Sequence, residues 1–339
     1  MYRLPFAISL DKTEDLLKTI QKEFKLDNSE YKKAKIILKS GLPPLIHPKI
    51  LSYLFGISYS LLLAMSRWPE KYYRVYRIPK AGHRSRQIEA PRRFLKLVQR
   101  WIYDYVLLKV EIPQVVHGFI RNKDIFTNAK PHLNSKNIMV IDIKDFFPSI
   151  RKKQIKSVFK ERGFPLQVTN LLTGLCIFDG RLPQGAPTSP ALANIIFSPI
   201  DIEIMNITKG WECEYTRYAD DLIFSSNEKF TKTEMQQIAK VIETAGFQIN
   251  KRKSRIIGSG GRQIAAGLVV NEKGLPQRRT RMNWRATFHQ AELNPGKYKG
   301  RGKSLIGISS FINRYNSELA SKYRQIAHKV MNLESETEK

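Results

Sequence analysis

The sequence contains few of the residues from which zinc sites and disulfides are built. It has only two cysteines, Cys176 and Cys213, and neither belongs to a CxxC pair. Its six histidines show no HExxH or similar metal-binding spacing. Because zinc sites need such clusters, metal chemistry in this chain would have to use carboxylates. Two isolated cysteines in apolar surroundings are typical of small core residues in a reducing, cytoplasmic protein.

Long hydrophobic runs are also missing from the sequence. The most apolar stretch, from Tyr53 to Met65, is interrupted by Gly56 and by several serines. A membrane-spanning helix needs roughly 20 apolar residues, so this stretch predicts a buried helix instead. The opening residues MYRLPFAISL are too short an apolar segment for a cleavable signal, and charges follow them. We therefore expect no membrane partner.

Acidic residues are scarce relative to basic ones. The chain has 58 Lys and Arg residues against 30 Asp and Glu residues, which gives a net charge of +28. With 42% hydrophobic residues, the composition is that of a folded protein. So large a positive charge repels itself unless a polyanion screens it, and nucleic acid is the expected partner. A basic protein that is merely soluble is the alternative.

Hydrophobic spacing divides the chain into regions of different secondary structure. Residues 1–70 predict helices, the last of them from Leu51 to Met65. Residues 73–89 predict a β-hairpin, with its turn at Pro79 to Gly82. The middle of the chain mixes short strands and helices, including predicted strands over 249–257 and 263–270. From residue 278 a basic helical region begins, so the fold class predicted is α+β.

Three aspartates carry the strongest indication of chemistry. Asp220 and Asp221 lie between strand-forming flanks in the segment RYADDLIF, and Asp142 ends the apolar segment IMVID. A hairpin turn in the first segment would bring Asp220 and Asp221 toward one site. Together with Asp142 from another strand, they would supply the oxygen ligands that Mg²⁺ prefers. The alternatives are a solvated acidic turn at Asp220 and Asp221 and a helix cap at Asp142.

A rigid turn lies between these acidic segments. The residues LPQGAPTSP, numbered 182–190, contain three prolines and a glycine, and a helix is predicted to follow. Gly185 leaves room for a ligand to approach the backbone closely. A purely structural loop is the alternative interpretation of this turn.

These segments, taken together in chain order, resemble reverse transcriptases, specifically those of bacterial retrons. The matching segments run from about residue 72 to 275 and are IPKAGHRSRQIEAP, IDIKDFFPSI, LPQGAPTSPALAN, YTRYADDLIF, GFQINKRKS and RQIAAGLVVN. Asn128 to His132 resembles the NAxxH signature of retron enzymes. Retron enzymes typically carry Val-Thr-Gly where this chain has Ala265-Ala266-Gly267, a departure that concerns recognition of the RNA.

The resemblance implies a right-hand polymerase with fingers, an antiparallel palm sheet and a helical C-terminal thumb. The boundaries implied are an N-terminal helical region at 1–70, fingers at 71–136 with part of 151–185, palm at 137–277 and thumb at 278–339. In such a fold the thumb helices would hold an RNA–DNA duplex.

The resemblance also assigns roles to individual residues. Two Mg²⁺ ions, with Mn²⁺ as an alternative, would be held by Asp142, Asp220, Asp221 and the backbone carbonyl of Ile143. Lys253 would protonate the leaving pyrophosphate. The deoxynucleoside triphosphate would be bound by Lys80, Arg86, Phe147, Gln184 and Gly185, with the Phe147 ring excluding a ribose 2′-hydroxyl. RNA contacts are expected from Asn128, His132, Arg278, Arg279, Arg281 and Arg285.

The function implied is reverse transcription of a dedicated structured non-coding RNA in the bacterial cytoplasm. That RNA (msr-msd) would supply both template and primer, and synthesis would start from a guanosine 2′-hydroxyl. The product would be branched, RNA-linked single-stranded DNA (msDNA), used in anti-phage defence with a separate effector protein. The alternatives are a defence reverse transcriptase that primes differently, an RNA-copying RNA polymerase, and an inactive RNA-binding protein.

Overall fold

A computed structural model of the protein describes residues 13–80 and 84–337. Residues 1–12, in which a signal sequence was considered, lie outside the described residues, as do residues 81–83, which include part of the turn predicted at Pro79 to Gly82. The side chains of Lys80 and Arg84, on either side of that tip, are outside the described part as well. The described residues form helices and antiparallel sheets, in agreement with the α+β class.

The N-terminal region is helical, as predicted. It contains α1 (Thr13–Phe24), α2 (Asn28–Lys39), α3 (Pro48–Phe55) and α4 (Tyr59–Arg67). The prediction of one helix from Leu51 to Met65 is wrong, because the chain bends by 114° between α3 and α4. Gly56 ends α3 in the left-handed conformation, with φ of 61°, and the Ser58 side chain caps α4.

A two-stranded sheet follows and confirms the predicted hairpin. Strands β1 (Tyr73–Lys80) and β2 (Arg84–Pro91) pair antiparallel, with Ile78 opposite Arg86. Helix α5 (Arg93–Tyr105) then packs a strongly apolar face into the core. The short helix α6 (Ile125–Ala129) is capped by the Asp124 side chain.

A four-stranded antiparallel sheet forms the centre of the molecule. Its strands are β3 (Asn137–Asp142), β4 (Glu214–Tyr218), β5 (Asp221–Ser226) and β6 (Arg255–Gly258), in the spatial order β4-β5-β3-β6. Every residue of β3 is buried, which explains its continuous apolar sequence. The strand predicted over 249–257 is shorter in the structure, with only its end in β6.

Helices cover this sheet and complete the main hydrophobic core. They are α7 (Phe146–Ser149), α8 (Lys152–Glu161), α9 (Leu166–Cys176), α10 (Ser189–Thr208) and α11 (Lys232–Thr244). Among the described residues, α10 is long and apolar enough to span a bilayer, as the bent α3–α4 pair would be if taken as one span. The α10 side chains Leu192, Phe197 and Ile204 are fully buried in the protein core.

A small three-stranded sheet replaces the single strand predicted over 263–270. Strands β7 (Ile264–Ala265), β8 (Leu268–Val269) and β9 (Leu275–Pro276) pair antiparallel in that order. The chain reverses at Ala266 and Gly267, whose φ angles are 45° and 88°. The departure from the retron pattern, Ala265-Ala266-Gly267, therefore lies in a tight hairpin turn.

The C-terminal residues form three helices with a core of their own. Helices α12 (Arg278–Leu293), α13 (Gly302–Ile312) and α14 (Ser317–Thr337) enclose a separate apolar cluster. Phe288 and Tyr323 stack in its middle, with ring centroids 4.0 Å apart. The helical region predicted from residue 278 is therefore divided into three helices in the structure.

Candidate active site

The three aspartates predicted as metal ligands come together at one end of the central sheet. Asp142 is directly opposite Asp221 in the β3–β5 pairing, so both side chains lie on the same face. Asp220 lies in the two-residue turn that joins β4 to β5, and Ala219 before it has a φ of 56°. The backbone N–H of Ile143 donates to the Asp220 carbonyl at 2.9 Å, which fixes the turn to the end of β3.

The carboxylates are crowded and partly removed from water. Asp142 is buried, with 3% of its surface exposed. Burial and the charges of Asp220 and Asp142 raise the pKa of Asp221 to about 7. Burial, followed by the charge of Asp142, also raises the pKa of Asp220. A bound cation would relieve this repulsion, because it favours the charged form of each carboxylate.

Lys253 supplies a positive charge to this cluster. Its ammonium lies 2.5 Å from Asp142 Oδ2. Burial would lower the pKa of Lys253, but the hydrogen bond to Asp142 and the neighbouring carboxylate charges raise it. Lys253 is therefore protonated at neutral pH and available as a proton donor.

The carboxylate oxygens at this site are the kind of ligand that magnesium prefers, although the described side chains do not form a complete coordination shell. Asp142 Oδ1 is buried and has no hydrogen-bond partner among the described residues, so it offers a free ligand atom. Within the described part of the chain, no group of three or more His, Cys, Asp and Glu side chains is arranged to hold a metal ion. Mg²⁺ is usually held by one or two carboxylates together with substrate phosphates, which agrees with an incomplete protein cage.

A cleft of about 1650 Å³ opens beside the acidic turn. Most of the residues predicted to bind metal or nucleotide line it, namely Arg86, Asp142, Ile143, Phe147, Gln184, Gly185, Asp220 and Lys253. Asp221 lies next to Asp142 but is not on the wall of the cleft. The Lys80 side chain lies outside the described residues.

Phe147 stands at the cleft wall among other aromatic rings. Its ring centroid is 5.6 Å from that of Phe146 and 6.0 Å from that of Phe119. Phe146 is buried in the core, whereas Phe147 is half-buried and lines the cleft. Phe119, which the sequence analysis did not single out, is exposed in the same cleft.

Glu89 connects the hairpin to the turn that carries Gln184. Its buried carboxylate accepts hydrogen bonds from both Arg181 terminal nitrogens, at 2.6 and 3.0 Å, and from the Gln184 N–H at 3.2 Å. Burial would raise the pKa of Glu89, but the hydrogen bonds from Arg181 and Gln87 lower it. Sequence analysis missed this link because the partners are far apart in the chain.

The structure does not support the RNA contacts predicted for Asn128 and His132. Both side chains are fully buried behind the central sheet. The His132 ring nitrogens lie 2.7 Å from the hydroxyls of Ser225 and Thr216, and Asn128 donates to Thr216 at 2.8 Å. Burial lowers the pKa of His132 to about 3, so the ring is neutral and holds α6 against the sheet.

A second groove, of about 980 Å³, lies in the C-terminal helical region. Arg278, Arg281 and Arg285 line it together with Trp284 and Tyr315, while Arg279 is exposed but not part of its wall. This combination of cations and aromatic rings is typical of nucleic-acid binding surfaces.

Arg217 and Asp201 form an ion pair beneath the acidic turn that sequence analysis also missed. Neither side chain has any exposed surface, and their closest atoms are 2.7 Å apart. An indication was available in the sequence only for Asp201, which lies in the mainly apolar segment IIFSPIDIEI, whereas Arg217 lies among other charged residues in EYTRYADD. Buried charges of this kind need a partner.

Comparison with known proteins agrees with the motifs. A family profile described as reverse transcriptase (RNA-dependent DNA polymerase) matches residues 78–282. The retron Ec86 reverse transcriptase of Escherichia coli is 33% identical over 252 residues, 73% of this chain and 78% of that relative. The retron Mx65 enzyme of Myxococcus xanthus is 28% identical over 309 residues, 84% of this chain and 72% of the relative. The retron Ec73 enzyme of Escherichia coli is 30% identical over 276 residues, covering 75% and 87% of the two chains.

Proposed function

Since the chain belongs to the reverse transcriptases, and among them to those of retrons, we propose that it copies part of a structured non-coding RNA into single-stranded DNA. Membership of this family gives the chain RNA-directed DNA polymerase activity. The observation that carries the proposal is the pairing of Asp142 opposite Asp221, with Asp220 in the adjoining turn, beside a cleft large enough for a nucleotide.

The three aspartates and the Ile143 carbonyl would hold two Mg²⁺ ions, or Mn²⁺ in their place. When bound, such a pair activates the attacking hydroxyl and stabilises the leaving oxygen in phosphoryl transfer. Lys253, held by Asp142 at 2.5 Å, would protonate the departing pyrophosphate. The proton is present on Lys253 at neutral pH, because the neighbouring carboxylates raise its pKa.

The walls of the cleft would select and orient a deoxynucleoside triphosphate. Arg86, with Lys80 on the paired strand of the same hairpin, would bind the triphosphate oxygens. Gln184 and the Gly185 backbone would line the base and sugar pocket. The Phe147 ring would occupy the space that a ribose 2′-hydroxyl needs, which gives a preference for deoxynucleotides.

The regions of the chain correspond to the parts of a right-hand polymerase in this proposal. The fingers would comprise 71–136 with part of 151–185, the palm 137–277 and the thumb 278–339, preceded by the helical region 1–70. The groove lined by Arg278, Arg281 and Arg285 would contact the phosphates of an RNA–DNA duplex. A net charge of +28 supports so extensive a contact with nucleic acid.

The biological setting proposed is that of a retron in the bacterial cytoplasm. Its msr-msd RNA would supply template and primer, and synthesis would begin at a guanosine 2′-hydroxyl and yield branched msDNA. The complex would act in anti-phage defence together with a separate effector protein. The similarity to several retron enzymes over most of the chain supports this setting.

The decisive experiment is to purify the protein from its native host and sequence the nucleic acid bound to it. We expect single-stranded DNA joined to RNA by a 2′,5′ linkage that a debranching enzyme cleaves. DNA without such a branch would contradict retron priming and favour a defence reverse transcriptase with another primer. The double variant Asp220→Asn, Asp221→Asn is the control: if DNA synthesis persists in it, the proposed site is wrong.

A further inference from the structure

The turn that carries Asp220 has a strained backbone, and the hydrogen bond from Ile143 N–H holds only its Asp220 side. Ala219 adopts a left-handed conformation, with φ of 56°, which is unfavourable for a residue with a side chain. Such a conformation persists only where the surroundings fix it. Groups beneath and beside the turn hold Ala219 in this conformation.

A buried guanidinium lies directly beneath the turn. Arg217 forms a two-point ion pair with Asp201, through Nε to Oδ1 at 2.8 Å and Nη2 to Oδ2 at 2.7 Å. Its remaining nitrogen, Nη1, donates to the Ala219 carbonyl at 3.2 Å and to Asn194 Oδ1 at 3.0 Å. The guanidinium also lies 4.8 Å from the centroid of the Phe197 ring, a favourable cation–π contact.

A glycine lies against the other side of the turn. A Cβ atom added to Gly118 would lie 2.5 Å from the Ala219 backbone nitrogen, far inside contact distance. The segment before it is fastened along β4 by two backbone bonds of 2.8 Å, from Arg217 N–H to the Val115 carbonyl and from His117 N–H to the Arg217 carbonyl. The Gly118 carbonyl in turn accepts a hydrogen bond from Asn194 Nδ2 at 2.9 Å.

Asn194 thus joins the two supports, since it contacts both Arg217 and Gly118. We propose that Arg217, Asp201, Asn194 and Gly118 form a brace that fixes the Ala219–Asp220 turn in the position that phosphoryl transfer requires. These are positioning residues, because none of them is placed to touch the substrate. The inference rests on the proposed role of Asp220 as a metal ligand.

Removing Arg217 or Asp201 is a poor test, because the partner would be left as an uncompensated buried charge and the protein could fail to fold. Gly118→Ala is sharper. The φ of Gly118 lies outside the left-handed range, so alanine adds only the contact with the Ala219 backbone. Gly210→Ala is the matched control, since a Cβ there would meet nothing within 4 Å.

The measurements are steady-state primer extension and thermal melting of the full-length protein. For Gly118→Ala we expect kcat to fall on the order of 100-fold, as for a displacement of about 1 Å at a catalytic group. The KM for dNTP and the affinity for primer–template should stay at the values of Gly210→Ala, and the melting temperature should fall by only a few degrees, because the added Cβ must displace the turn. A wild-type kcat in folded Gly118→Ala, or a loss of kcat matched by equal losses in dNTP and primer–template affinity, would overturn the proposal.

A double-mutant cycle provides a second, independent test. Asn194→Leu keeps the branched shape of the side chain but removes its hydrogen bonds to Arg217 and Gly118. If both residues act through one turn, the double variant should lose little more kcat than either single variant. Multiplicative losses would contradict a shared brace. Asp220→Asn separates this inference from the proposed function: activity in that variant refutes the metal site, whatever the brace variants show.

Discussion

Phe147 is the side chain on which the choice between deoxynucleotides and ribonucleotides is expected to depend. Because its ring lines the cleft, Phe147→Ala should open space for a 2′-hydroxyl. We expect kcat/KM for ribonucleotides to rise on the order of tenfold to a hundredfold, with deoxynucleotide use retained. The measurement is single-nucleotide primer extension. Phe94→Ala, which removes an exposed ring that does not line the cleft, is the control, and unchanged ribonucleotide use would contradict the assignment.

Glu89 should make the stability of the protein sensitive to acid. Hydrogen bonds from Arg181 and Gln87, opposed by burial, lower the pKa of Glu89 below its ordinary 4.5. The unfolded state therefore binds the proton more readily, and the ion pair stabilises the fold above pH 4.5 and loses this effect as the pH falls through the folded-state value. Glu89→Gln should melt at a lower temperature than wild type at pH 7, and the gap should narrow below pH 4.

The control for this comparison is Glu161→Gln, which alters an exposed carboxylate at the end of α8. Its melting curve should follow that of wild type at every pH. A constant gap between Glu89→Gln and wild type down to low pH would show that the Arg181 pair contributes through packing rather than through charge.

Single residues could be predicted from the sequence only where a local pattern carries the information. The acidic trio was predicted because each aspartate ends or joins a strand, and the strands pair so that Asp142 faces Asp221. The role of His132 was missed, because nothing near it in the chain indicates that Ser225 and Thr216 surround the ring. The brace was missed for the same reason, since Asp201 and Arg217 become partners only when α10 packs under β4.

Among the secondary-structure elements, α6 contacts the C-terminal helices through a small apolar cluster that contains Ala129 and that Phe126 and Phe311 pack against. The Phe126 ring lies 5.3 Å from that of Phe311, and the Arg314 guanidinium lies over Phe126 and beside Asp124. Because the Arg314–Asp124 pair is exposed, Arg314→Ala should lower the free energy of unfolding by about 1 kcal/mol or less. Urea denaturation measures this loss.

Phe126→Ala should have the larger effect on the same contact. It removes a half-buried ring between two aromatic neighbours, so we expect a loss of about 2 kcal/mol in urea denaturation. Hydrogen exchange in α13 and α14 should quicken in this variant more than in Arg314→Ala. The reverse order would show that charge, and not apolar packing, holds the C-terminal helices against α6.

Elements with strong periodicity were predicted well, and their interruptions were not. The hairpin of β1 and β2 and the long helix α10 agree with the sequence analysis. The break at Gly56 was missed, because an isolated glycine inside an apolar run is compatible with a continuous helix. The reversal at Ala266 was missed as well, because an alanine in a left-handed turn gives no local indication of it.

The charge of the whole molecule predicts how its binding responds to salt. Phosphate contacts release counterions, so the affinity for an RNA–DNA duplex should fall steeply and log-linearly with salt concentration. Arg285→Gln, in the groove of the C-terminal helices, should reduce the slope by about 1. Fluorescence anisotropy at several salt concentrations measures it. The control is Lys32→Gln, which removes one positive charge from an exposed position on α2 and should leave the slope unchanged. If Arg285→Gln and Lys32→Gln changed the slope equally, the duplex would not bind in the groove of the C-terminal helices.

Helix α10 begins at the rigid turn on the cleft wall and continues to Asp201 under the acidic turn. One helix, with Pro199 inside it, therefore supports both the nucleotide pocket and the floor beneath the acidic turn. Enzyme engineers who seek altered monomer choice should leave α10 intact and vary Phe147 first, because Glu89 links the hairpin strands to the turn that carries Gln184. Changes along α10 would disturb selectivity and turnover together.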